Sequence, residues 1–91
     1  MFKFVVTNDE GLAIELEAKP RDILRFERET QVKLSDLEEG LSFADLYHLA
    51  WVTFRRVDSV NAPKTLKVFE EGWDVDPVVE REDADPTNAE A

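Results

Sequence analysis

Ser42-Phe43-Ala44-Asp45-Leu46-Tyr47-His48-Leu49-Ala50-Trp51-Val52-Thr53-Phe54-Arg55-Arg56-Val57 is the segment around which the rest of this chain has to be arranged. Nine of the twelve residues from Phe43 to Phe54 are hydrophobic. That is too many for one amphipathic stripe, so a helix here must be surrounded on more than one side. Its start is marked by Ser42 as a cap with Asp45 three positions on, and by Leu41 and Leu46 at the two positions of a hydrophobic staple. These signals predict a helix over residues 43–57, which Arg55, Arg56 and Asp58 return to solvent. Phe43, Ala50, Phe54 and Val57 line up as its core stripe, and Tyr47 and Trp51 fall at the margin with His48 beside them.

Toward the N-terminus, Phe2, Phe4 and Val6 alternate with Lys3, Val5 and Thr7, and Leu12, Ile14 and Leu16 alternate with Ala13, Glu15 and Glu17. Two period-2 segments joined by Asn8-Asp9-Glu10-Gly11 predict a β-hairpin over residues 2–17. One face would carry Phe2, Phe4, Leu12, Ile14 and Leu16. A lone hairpin is marginal in water, so that face must pack on helices or on a partner's strands. Pro20, with Asp22 behind it, opens a helix expected over residues 20–30 and buried through Ile23, Leu24 and Phe26. Ser35-Asp36-Leu37-Glu38 before Gly40 predicts a short helix over residues 35–39.

Toward the C-terminus, Leu66, Phe69 and Trp73 recur at helical spacing, predicting a last short helix over residues 64–71. The expected fold class is therefore α+β: an N-terminal β-hairpin, then three to four helices in one domain over residues 1–74. Residues 74–91 hold seven acids and one arginine, so −6 of the total charge of −10 falls there and −4 on residues 1–73. With two prolines and no aromatic residue after Asp74, residues 75–91 read as a disordered acidic tail. Its removal should then leave the melting temperature nearly unchanged.

Composition bounds the function. Twenty-one acids against eleven basic residues repel phosphate backbones, which argues against nucleic-acid binding. No apolar run is long enough to cross a bilayer, and the N-terminus is interrupted by Asn8, Asp9 and Glu10, unlike a signal peptide. The absence of cysteine removes disulfides and thiol chemistry and fits a reducing compartment. His48 is the sole histidine, and Asp45 at i−3 could orient its ring, but it lacks a nucleophile and companion metal ligands. A helix-surface or interface role suits it better. Ser35 and Ser42 are explained as caps, the pairs Glu38-Glu39, Glu70-Glu71 and Asp74/Asp76 fit no calcium loop, and the glycines at 11, 40 and 72 are too far apart for a phosphate loop. No catalytic, metal or cofactor set emerges, so the expectation is a protein that binds another protein.

Three strings carry a family resemblance: Lys19-Pro20-Arg21-Asp22-Ile23-Leu24-Arg25-Phe26-Glu27-Arg28-Glu29-Thr30, then Leu34-Ser35-Asp36-Leu37, then Ser42-Phe43-Ala44-Asp45-Leu46-Tyr47-His48-Leu49-Ala50-Trp51 with Arg55-Arg56 closing the helix. With the order of elements, roughly residues 1–74 resemble the tail assembly chaperones of long-tailed (siphovirus-type) bacteriophages. The resemblance implies a protein of the host cytoplasm, not part of the mature virion. It would keep the long, apolar tape measure protein soluble while tail tube protein assembles around it. It also implies a short form of a gene that often yields a longer one by programmed frameshift. The alternatives are a structural tail completion or connector protein, or an acidic DNA mimic. Free hairpin edges and surplus apolar helix surface predict a homo-oligomer. Tyr and Trp keep a polar atom that suits a partly wet interface, so Tyr47, Trp51 and Trp73 are the expected client-binding surface.

Overall fold

The computed structural model describes residues 2–33 and 42–78. Strands β1 (Lys3–Asn8) and β2 (Ala13–Glu17) form the antiparallel hairpin, in a register that sets Phe4 against Leu16 and Val6 against Ile14. The Asn8 carboxamide locks the turn, accepting from the Glu10 and Leu12 backbone N–H groups at 3.0 Å each. Gly11 supplies the positive φ, 89°, that this chain reversal needs. Phe4, Val6 and Leu16 are buried, whereas Phe2 and Leu12 at the ends of the hairpin stay exposed.

A third strand, β3 (Trp73–Val78), pairs antiparallel with β1, giving the order β2-β1-β3. The expected boundary at residue 74 is therefore corrected: residues 75–78 belong to the sheet, and Asp74 and Asp76 are strand residues. Trp73-Asp74-Val75-Asp76 alternates with period two, which places Val75 opposite Val6 and leaves it 5% exposed. An acid-rich composition hid that alternation. Pro77, which cannot donate to a ladder, is tolerated because β3 is an edge strand. β1 is thus a covered central strand, contrary to the expectation of free edges on both hairpin strands. Val75→Ala should cost about 2 kcal/mol, from two lost methyl equivalents and the space they leave. A urea titration checks this, and a change under 0.5 kcal/mol would detach β3 from the fold. Residues 79–91 of the expected tail, the helix expected over residues 35–39, and Leu41 lie outside the described residues.

Helix α1 (Pro20–Thr30) begins as its proline predicts, with Asp22 accepting from the Lys19 backbone N–H at 2.8 Å. Helix α2 (Phe43–Val57) has the predicted bounds and cap: Ser42 Oγ accepts from the Asp45 N–H at 3.1 Å. Helix α3 (Leu66–Gly72) starts two residues later than expected, because Thr65 caps it through the Val68 N–H. α2 packs against α1, β2, α3 and β3, and its interior residues from Leu49 to Phe54 are all buried, as its composition requires. Thr53 is accommodated by donating its hydroxyl to the Leu49 carbonyl at 2.9 Å. The predicted stripe is corrected at both ends, since Phe43 and Val57 are exposed and Leu46, Leu49, Ala50 and Phe54 face the core. Where nearly every position is apolar, several stripes are compatible with the sequence, and packing chooses among them. Leu24 is likewise exposed, not buried. Among the described residues no helix is long and apolar enough to cross a membrane.

Candidate functional site

The three aromatic residues expected at an interface part company. Tyr47 is half-buried, its ring 5.7 Å from that of Phe69, and it lines an open depression together with Phe43, Ala44 and Glu70. Trp73, also half-buried, packs edge-on to Phe54 at 5.0 Å and stacks toward Phe69 at 6.3 Å. These two therefore share Phe69 as a neighbour. Trp51 does not join them and is corrected to a core residue: it is 9% exposed, and its indole N–H donates to the Pro63 carbonyl at 2.9 Å. The polar atom that suggested a wet interface is satisfied by the loop before α3. The Arg55 guanidinium covers the same ring at 3.8 Å.

Phe43 is the residue that sequence reasoning placed wrongly and that the surface needs. It stands at the first position of α2, 76% exposed. Its place directly after the cap, in a turn with only one side against the rest of the helix, was the available signal. A large apolar ring left in water beside Tyr47 makes the N-terminal end of α2 an adhesive edge rimmed by the Glu70 carboxylate.

The polar side chains between α1 and α2 form two clamps. Glu29 faces His48, with its Oε1 2.8 Å from Nε2, and its Oε2 accepts from Arg55 Nη2 at 3.2 Å. The ring is thus oriented by Glu29, not by Asp45. Burial alone would raise the Glu29 pKa, but hydrogen bonds from His48 and Arg55 outweigh it and hold the carboxyl below its usual range. An ionised carboxylate only accepts, so the contact is a hydrogen bond in the form of the ring that bears N–H at Nε2. Arg55 and Arg56 were expected to mark a return to solvent; both are instead half-buried partners of α1. Arg56 Nε donates to both Asp22 oxygens, at 2.8 and 2.9 Å, and its Nη2 to the Glu17 carbonyl at 3.1 Å. These contacts tie α1, α2 and β2 together and leave Tyr47 and Phe43 on a fixed frame. Among the described residues no three His, Cys, Asp or Glu side chains are grouped to hold a metal ion.

Comparison of the chain with protein-family models, curated proteins and solved structures gives no match.

Proposed function

We propose that this protein is a phage tail assembly chaperone that holds an apolar segment of the tape measure protein against the Phe43–Tyr47 end of α2. The observation that carries the reading is the uncovered Phe43 ring beside the open depression. An amphipathic client helix laid there would bury aromatic surface on both sides, the mode by which grooves hold helices. The net charge of −10 keeps the loaded complex dispersed. Tyr47 and Phe43 replace the expected trio as the contact residues, with Trp73 supporting from beneath through Phe54 and Phe69.

The test is co-expression with the tape measure protein of a long-tailed phage. Phe43→Asp should leave stability within about 0.5 kcal/mol, as exposed substitutions do. It should also weaken client binding by about 30-fold, a hot-spot loss near 2 kcal/mol. Soluble client retained equally by wild type and Phe43→Asp would sink the assignment of this surface. Recovery of the chain from purified mature particles would favour the structural tail protein.

One observation supports the DNA-mimic reading. Glu15, Glu17, Asp74 and Asp76 share the sheet face opposite Phe4, Val6 and Val75, so carboxylates do lie along the folded body. Lys3, on the central strand of that face, interrupts the pattern. Displacement of DNA from a nucleic-acid-binding enzyme by this protein would establish that reading.

A further inference from the structure

In a chain with nearly two acids per base, exposed arginines that hydrogen-bond to no described carboxylate are the anomaly. Arg21, Arg25 and Arg28 fall at i, i+4 and i+7 of α1, all exposed and on one side of the helix, with exposed Leu24 among them. Two shallow depressions run between these side chains, one lined by Arg21, Leu24, Arg25, Arg28 and Glu29 and the next by Arg21, Asp22, Arg25 and Arg56. Arg55 and Arg56 are consumed by Glu29 and Asp22. No described carboxylate or carbonyl accepts a hydrogen bond from the three α1 guanidiniums.

The same molecule carries the complementary surface. On the outer face of the sheet, Val5 of the central strand is flanked by Glu15 on one side and Asp76 on the other. With strands ~4.8 Å apart, the two carboxylates stand ~10 Å apart across an apolar centre. Arg21 and Arg28 are separated by about 10.5 Å along the α1 axis, with Leu24 between them. The two rows match in length, in order and in sign: acid, apolar, acid against base, apolar, base. One chain cannot bring them together, because the core cluster containing Phe4, Val6, Leu16, Phe26 and Val75 lies between the inner sheet face and α1.

We infer that the arginine row of α1 docks on the outer sheet face of a second copy, Arg21 and Arg28 on Glu15 and Asp76 and Leu24 over Val5. The contact joins two different patches, so it propagates head to tail. It is small and rimmed by water, which makes it a transient contact governed by electrostatic steering and lost as salt shortens the screening length. It stands whatever client the α2 end receives.

Sedimentation velocity on the full chain tests it. At about 20 mM salt, where screening reaches some 20 Å, the average mass should rise with concentration, and at about 0.5 M it should return to the monomer. R21E/R28E and E15K/D76K should each abolish the rise, at least ~10-fold in apparent Kd, while circular dichroism confirms that both fold. Mixed in equal amounts, the two variants should associate again, because each then meets a complementary face. A wild type that stays monomeric at low salt overturns the inference, as does a mixture that fails to associate. So does association that disappears when Glu80, Glu82, Asp83 and Asp85 are changed to amides, since the arginine row would then be taken by the C-terminal segment.

Discussion

Trp51→Ala should lower the free energy of unfolding by about 3–5 kcal/mol, as much as Phe54→Ala, the range for large aromatic residues removed from a core. Sequence reasoning expects these substitutions to differ, with Trp51 spared for an interface, but the structure places both inside. Phe54 is fully buried among Phe69 and Trp73, at ring distances of 6.0 and 5.0 Å. Trp51 adds two contacts that alanine cannot replace: the Pro63 carbonyl loses its donor, and the Arg55 guanidinium loses the ring it covers. Small domains hold roughly 5–15 kcal/mol in total, so either loss is a large fraction of the stability and leaves a variant partly unfolded where the total is near the low end. Urea titration of both, with near-ultraviolet spectra for packing, provides the measurement. A loss below about 1 kcal/mol for Trp51→Ala would return that ring to the surface.

Arg56→Ala should cost about 3 kcal/mol at neutral pH, because it strands a carboxylate that is only 2% exposed. Burial by itself pushes the Asp22 pKa up, but the Arg56 hydrogen bonds, the Lys19 backbone N–H and the Arg56 charge outweigh it, and the carboxyl sits below its ordinary value. The sign follows from linkage. A carboxyl depressed in the folded state contributes its stability above the unfolded value, near 4, and loses it as pH falls through the folded value. Glu29 is depressed in the same direction by His48 and Arg55, after burial has opposed them, so it adds to the acid lability. Wild type and Arg56→Ala should therefore differ most at pH 7 and converge as pH falls below the unfolded value and through the lower folded value of Asp22, where it takes up a proton in both. Denaturant midpoints at pH 7, 5 and 3 measure this. A gap that persists unchanged to pH 3 would mean that Arg56 acts through packing of its stem alone.

The elements recovered from the sequence are those whose signals act between near neighbours. Asn8 and Gly11 close the hairpin within four residues, Pro20 and Asp22 start α1 within its first turn, and Ser42 caps α2 through Asp45 three positions away. Such interactions are complete before the chain has any tertiary structure, so the residue types alone specify them. What failed was non-local. The pairing of Val6 with Val75, of Asp22 with Arg56 and of Glu29 with His48 joins residues 69, 34 and 19 positions apart. Nothing in Asp74-Val75-Asp76 announces that a central strand waits for it. The candidate surface was half legible: Tyr47 stands at its edge, but Trp51 and Phe43 exchanged places. A helix apolar on nearly every side can bury any of its faces, and only the sheet, α1 and α3 closing around α2 decide which ring stays in water.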